Sequence, residues 1–281
     1  MLVFKTAQEL RSCFKSNTQT VGMVPTMGAL HEGHLSLVKK ACEENDVVVV
    51  SIYINPTQFN KIADLEKYPS NFEKDKALLE PFSHQLLLYA PDHKEIYPEG
   101  IQSKTYDFGT IANHMEGAFR KGHFDGVATV VETLLRKIQP QNAYFGEKDF
   151  QQLQVIKALT TQKKLGITIV SCPIVREKDG LAMSSRNRLL SPEQRQAAPR
   201  IFASLGELKK KNFGKKVPLM EAFFKNEIAR EKELEVEYFF VASPTDLIPV
   251  SVIEEGIDYR IFVAVLAGKT RLIDTVELGR I

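Results

Sequence analysis

The chain lacks most of the features that would set it apart from an ordinary soluble globular protein. Its three cysteines, Cys13, Cys42 and Cys172, are scattered, odd in number and in no Cys-x-x-Cys pair. That pattern argues against a disulfide framework or a zinc knuckle and fits a reducing compartment. No apolar run approaches the ~18 residues of a membrane span. The N-terminal stretch shows no cleavable signal pattern; instead Thr6 and Glu9 have the spacing of a capping box opening a first helix. A cytoplasmic protein is the expectation. Lys and Arg number 37 against 35 Asp and Glu, and this net charge of +2 gives no pull toward nucleic acid or a membrane surface. There is no biased tract and no internal repeat. Neither Gly-x-x-x-x-Gly-Lys-[Ser/Thr] nor Gly-x-Gly-x-x-Gly occurs, so the P-loop and dinucleotide readings are both weak.

What is present is a strong alternation of strand and helix signals. At 281 residues two domains are the default. Val21 to Val24 form an apolar run that stops at Pro25, followed by small residues, two histidines three apart and a helical periodicity from Leu35. Val47 to Ile54 is apolar on both alternations, as expected of a parallel strand buried on two faces. Leu86 to Tyr89, Ala143 to Phe145 and Ile167 to Val170 are further strand candidates. Helices are predicted near Phe72–Glu80, over Val127–Ile138 with Asp125 as N-cap, and over Phe150–Lys164 with Asp149 as N-cap. Residues 92–112 read as loop. This order predicts a parallel α/β sheet with right-handed crossovers. Beyond residue 173 the grammar changes. Ser191 to Gln194 is a capping box with Pro192 at the first helical position, opening helices at 192–211, kinked at Pro199, and 218–232. Three strand-like runs follow, Glu235–Val241, Arg260–Leu266 and Arg271–Val276, the last two joined by a hairpin. The reading is one α/β domain, 1–172, and a smaller α+β lid domain with an antiparallel sheet, 173–281.

The chemistry-bearing residues sit where strands end. His31 and His34 flank Gly33 at a helix start, where backbone N–H groups and the helix dipole favour phosphate. Their spacing of three is not the i, i+4 spacing with an intervening glutamate that zinc hydrolases use. Asn55 and Gln58 follow the second strand and are placed to read a polar substrate, although taken alone Asn55-Pro56 is better explained as a simple Asn-Pro turn. Gly146-Glu147-Lys148-Asp149 follows a later strand, and Lys148 offers phosphate a compact positive charge. Gln152 lies one turn on. Met183-Ser184-Ser185-Arg186 combines two hydroxyls with a guanidinium, suited to polyphosphate. Gly122-His123-Phe124-Asp125-Gly126 reads either as a further site element or as glycine turns around a capped helix.

Together the segments PTMGALHEGH, NPTQF, GHFDGVATVV, FGEKDFQQL and DGLAMSSRN resemble the pantothenate synthetases (pantoate–β-alanine ligases), in order and at similar separations. The likeness spans nearly the whole chain. It implies a Rossmann-like nucleotide-binding domain of the superfamily that includes class I aminoacyl-tRNA synthetases. It also implies ATP as substrate with Mg2+, pantoate and β-alanine as co-substrates, no nucleic acid or membrane partner, and a homodimer through the N-terminal domain. By the same resemblance Met27, Gly28, Ala29, Leu30, His31, Glu32, Gly33 and His34 line the ATP site. So do Gly146, Glu147, Lys148, Asp149, Val175, Met183, Ser184, Ser185 and Arg186. His34, His31, Lys148 and Arg186 would carry the chemistry, with Gln58 on pantoate and β-alanine and Gln152 on pantoate. No protein metal ligands are assigned, although Asp75 is a possible contributor. Three places depart from the family pattern: Ser70 where arginine is usual, Lys121 where proline is usual, and the segment Tyr238 to Ser243.

Overall fold

The apolar runs form strands, and helices fill the intervals between them. A computed structural model describes residues 1–14, 18–60 and 62–280. In chain order its elements begin with β1 (Val3–Phe4), α1 (Ala7–Ser12), β2 (Val21–Thr26), α2 (Glu32–Glu44) and β3 (Val47–Ile52). Next come α3 (Ile62–Glu66), α4 (Phe72–Leu79), β4 (Leu86–Tyr89), α5 (His93–Ile96), α6 (Glu116–Phe119), α7 (His123–Ile138) and β5 (Asn142–Gly146). Then follow α8 (Phe150–Gln162), β6 (Thr168–Cys172), α9 (Pro192–Ala197), α10 (Arg200–Lys209) and α11 (Val217–Ile228). The last elements are β7 (Leu234–Ala242), β8 (Asp258–Ala267) and β9 (Thr270–Arg280). Two compact units result. The first comprises Met1–Phe108, Arg120–Glu147 and Gln152–Pro173, and the second Gly109–Phe119, Lys148–Gln151 and Ile174–Ile281. The second unit therefore draws two short segments from before residue 173.

In the first unit the strands lie in the order β1-β4-β3-β2-β5-β6, all parallel. The chain builds outward from β2 through β3 to β4, then crosses back to place β5 on the other side of β2. A topological switch point therefore lies between the carboxyl ends of β2 and β5, where open α/β sheets take their ligands. Val48, Val49 and Val50 are completely buried, which explains why β3 shows no polar alternation. Contrary to expectation, β2 runs through Pro25 to Thr26. Pro25 pairs with Ser51 of β3, beyond the last β2 residue paired with β5, so the missing N–H falls where the strand has one neighbour.

Three other expectations need correction. Asp125 does not cap α7: that helix starts two residues earlier, from Gly122 at φ 75°, and Asp125 inside its first turn accepts from the Tyr106 N–H. Asp149 does not open α8 alone, because the backbone already turns in a 3-10 segment, Glu147–Asp149, that leads straight into the helix. Residues 92–112 are not all loop, since Asp92 caps α5 and Gly109–Ala112 forms a 3-10 turn. The Thr6–Glu9 and Ser191–Gln194 capping boxes both form as read.

The second unit has an antiparallel sheet, β7-β8-β9, whose β8–β9 hairpin turns at Gly268 with φ 58°. Its core joins Ile201, Leu205 and Leu208 of α10 and Phe224 and Ile228 of α11 to Val241, Ile261 and Val263 of the sheet. Pro199 separates α9 from α10, as an internal proline should. Among the described residues no helix is long and apolar enough to cross a membrane.

Candidate active site

The segment between β2 and α2 has an unusual backbone. Gly28 and Ala29 both have positive φ, 80° and 52°, and the turn is pinned at each end. On the strand side, Thr26 Oγ1 donates to Ser51 O at 2.7 Å and accepts from Gly28 N at 3.1 Å. On the helix side, Asp75 of α4 accepts from Ala29 N and Leu30 N, both at 2.8 Å. His31 then serves as the N-cap of α2, its Nδ1 accepting from Gly33 N at 3.2 Å. An accepting Nδ1 carries no proton, so the ring's proton sits on Nε2. His34 lies inside the first turn rather than before the helix, and the two rings are 4.1 Å apart between centroids. Two imidazoles thus share a helix N-terminus at the end of the central strand.

At the end of β3, Asn55 is not a substrate reader. It is buried, and its side chain is fully engaged. Its Nδ2 donates to Gln58 Oε1 and Gly126 O, and its Oδ1 accepts from Tyr97 Oη and Thr57 Oγ1. The Asn55 bracket fixes the oxygen end of the Gln58 carboxamide. The Gly126 of the GHFDG motif matters for packing: a Cβ there would stand 2.4 Å from Thr57 O, so only glycine lets α7 approach this turn so closely. His123 Nδ1 lies 3.0 Å from Gln58 O.

At the end of β5, Gly146 is half-buried and the Glu147–Asp149 turn carries Lys148. Lys148 Nζ sits 3.4 Å from Asp149 Oδ2, an exposed pair of small energetic weight. The neighbouring glutamines divide their work. Gln151 is buried and holds the 109–119 segment through Glu116 N, Ile111 O and His114 O. Gln152 is half-buried in the first turn of α8.

In the second unit, residues 175–183 form a tight hairpin. Met183 N donates to Val175 O at 3.0 Å and Glu177 N to Leu181 O at 2.8 Å. Gly180 takes φ 91° at its tip, with Phe202 occupying the space a Cβ would need. Arg176 braces this hairpin. Its two terminal nitrogens reach Asp274 at 2.7 and 3.0 Å, one of them also donates to Gly180 O, and its guanidinium stacks 3.6 Å from the Phe202 ring centroid. At the outer edge Arg195 bonds Asp179 at 2.6 Å. Burial works against the Asp179 carboxylate, but Arg195 and the Leu181 N–H outweigh it and hold that carboxyl below the usual range. The hairpin leads into Ser184, which caps the 3-10 turn Ser185–Leu189 by accepting from Arg186 N. Lys148, Ser184, Asn187 and Asp274 line one small pocket of this unit, so Lys148 and Ser184 are brought together although 36 residues apart in sequence (184 − 148). Arg186 and Asp149 do not line that pocket.

A second cavity, of about 400 Å³, opens in the first unit beyond β2, β3 and β4. Met27, Tyr53, Phe72, Asp75 and His93 line it, and so does Ser70, one of the departures from the family pattern. Burial pushes the Tyr53 phenol well up, and its oxygen lies 2.8 Å from His93 Nδ1. Lys121 is exposed and serves through its carbonyl, which accepts from Asn60. Tyr238 joins a buried ion cluster, donating to Glu116 while Arg271 grips Glu116 at 2.8 and 2.7 Å. Among the described residues no three His, Cys, Asp or Glu side chains group to hold a metal. Sequence reading missed the Asp75 and Arg176 roles because each links residues with no local pattern in common, 46 and 98 positions apart.

Comparison with known proteins finds relatives over nearly the whole chain. The family model described as pantoate-beta-alanine ligase matches residues 2–277. The pantothenate synthetase of Christiangramia forsetii is 43% identical over 282 residues, spanning 99% of this chain and 100% of the relative. The crystal structure of the pantothenate synthetase of Thermus thermophilus superposes with a TM-score of 0.90 at 40% identity, over 99% of this chain and 100% of that one. The pantoate-beta-alanine ligase of Francisella tularensis, crystallised with an ATP species and β-alanine, superposes with a TM-score of 0.83 at 35% identity, over 99% and 98%. With three of its motifs at the strand ends of such a sheet, and a family model and relatives that match nearly the whole chain, the chain belongs to the pantoate–β-alanine ligase family.

Proposed function

We propose that the chain condenses (R)-pantoate with β-alanine at the expense of ATP, through a pantoyl-adenylate intermediate. The observation that carries this reading is the His31–His34 pair at the N-terminus of α2, beside the switch point of a parallel sheet. A carboxylate is a poor electrophile until one oxygen becomes a good leaving group. In the first step a pantoate carboxylate oxygen bonds to the α-phosphorus of ATP and the bond to pyrophosphate breaks. In the second the β-alanine amine bonds to the acyl carbon, AMP departs, and the amine loses its proton. The protein's share is positioning and stabilisation of phosphate charge.

In this reading Met27–His34 with Gly146 and Glu147 from the first unit, and Lys148, Asp149, Val175 and Met183–Arg186 from the second, bind ATP. His34 donates a proton or a hydrogen bond to the departing phosphate oxygen, helped by His31. Lys148 and Arg186 bear on the phosphates, Gln58 contacts both acids, and Gln152 contacts pantoate. Mg2+ accompanies ATP. Both Asp75 oxygens are engaged by backbone N–H groups, and among the described residues no three His, Cys, Asp or Glu side chains group to hold a metal, so the phosphates and water would supply most of its ligands. The chain works as a homodimer, for which sedimentation in solution is the check.

The test is product analysis with purified chain, ATP, Mg2+, pantoate and β-alanine. AMP and pyrophosphate are expected, with pantothenate formed only when both acids are present. ADP and phosphate as products would refute the reading.

A further inference from the structure

Asp75 lies 46 residues beyond the turn it touches, in the first turns of α4, and is 2% exposed. Its two oxygens accept from two consecutive backbone N–H groups, Ala29 and Leu30, at 2.8 Å each. Outside a helix N-terminus, consecutive N–H groups converge on one anion where a residue takes the left-handed region, as Ala29 does at φ 52°. Non-glycine residues rarely hold such a conformation without being held there. Gly28 is the complementary half of the device: a Cβ on it would stand 2.8 Å from Asp75 Oδ2. The turn ends at His31, one residue past Leu30, and so fixes where α2 begins and where both imidazoles point.

We propose that Asp75 is a positioning residue for the ligation and not a magnesium ligand: its carboxylate moulds the Gly28–Leu30 turn that presents His31 and His34. The proposal rests on the ATP-ligase reading for what the turn presents, whereas the contact itself does not depend on it. Mg2+ bound through a carboxylate needs an oxygen directed at the ion, whereas each Asp75 oxygen is directed at a backbone donor in a side chain that is 2% exposed. Misplacing the imidazoles by about 1 Å through a loosened turn can cost up to ~10²-fold in rate without any contact to ATP being deleted.

The experiment compares the full chain with Asp75→Asn, Gly28→Ala and the double variant. The asparagine amide can accept from only one of the two N–H groups and turns a donor toward the other. Each single variant is expected to lose on the order of 10-fold or more in kcat. The double variant should be no worse than the weaker single, because both break one device. Half-saturating Mg2+ should stay within about twofold of the original chain, and hydrogen exchange over residues 27–34 in Asp75→Asn should speed up at least ~10-fold. Unchanged kcat in the folded variants, multiplicative losses in the double, or a large rise in the Mg2+ requirement would each overturn the proposal. If Asp75→Asn does not fold, Gly28→Ala alone decides: near-normal kcat contradicts the proposal. If the original chain forms no AMP, the ligase reading fails, while the exchange measurement still tests the contact.

Discussion

The two segments proposed to meet the ATP phosphates are held by opposite means. Residues 27–34 are held from behind by backbone donors to a buried carboxylate, with Ala29 kept in the left-handed region beside Gly28. Residues 175–187 are held by side chains: a bidentate Arg176–Asp274 pair, a guanidinium stacked on Phe202, and the half-exposed Arg195–Asp179 pair. The first arrangement suits groups that must be in place before substrate arrives, such as His31 and His34. The second suits a segment whose serines and arginine engage a polyanion, since its outer Arg195–Asp179 pair, unlike the largely buried Arg176–Asp274 pair, loosens with modest changes in conditions. The difference teaches that one chain can hold one polar segment preorganised and another adjustable.

The sharpest way to break this comparison is to remove one donor from residues 27–34 and, on the other side, Lys148, which lines one pocket with Ser184 of the second segment. His34→Ala and Lys148→Ala are each expected to lower turnover by on the order of 10²-fold or more, as loss of a transition-state donor does elsewhere. Near-normal rates in both, measured at saturating substrates, would contradict the roles assigned to both segments. A smaller effect is expected from Arg176→Lys, which keeps the charge but loses the bidentate geometry and the stack on Phe202. It should raise the KM for ATP by roughly 10-fold while changing kcat little, because the hairpin loosens without loss of a reacting group. An equal fall in kcat would move Arg176 to the preorganised half.

The smallest effect concerns pH. The Asp179 carboxyl is held below its ordinary value, so its contribution is complete above the unfolded value, about 3.9, and is lost as pH falls through the lower folded value. Hydrogen exchange or proteolytic nicking over 176–183 should therefore rise as pH drops below about 4, and should also rise with salt. The same salt step should barely alter exchange over 27–34, where Asp75 is out of solvent. Equal sensitivity of the two segments would erase the distinction.

Much of the fold was legible because the signals are local. The valines of β3 declare a strand buried on both faces, the Thr6 and Ser191 boxes declare helix starts, and Pro199 marks the break between α9 and α10. The His31/His34, Asn55/Gln58 and Gly146–Asp149 motifs also point correctly to strand ends. Local signals misled where a neighbour decides the outcome. Pro25 reads as a stop until β3 is known to be its one partner at that point. Asp125 reads as a cap until Gly122 takes the left-handed conformation that starts α7 earlier. Asn55 has the chemistry of a substrate reader until Tyr97, Thr57, Gln58 and Gly126 are seen to consume it. Asp75 is legible only as an acid, because its partners are backbone groups far away in sequence.

The central claim is that a pantoate carboxylate oxygen attacks the α-phosphorus of ATP. Pantoate labelled with 18O in both carboxylate oxygens tests it directly by mass spectrometry of the products. One labelled oxygen is expected in the phosphate of AMP and the other in the pantothenate amide carbonyl, with none in pyrophosphate. Unlabelled AMP, or label in pyrophosphate, would contradict the account.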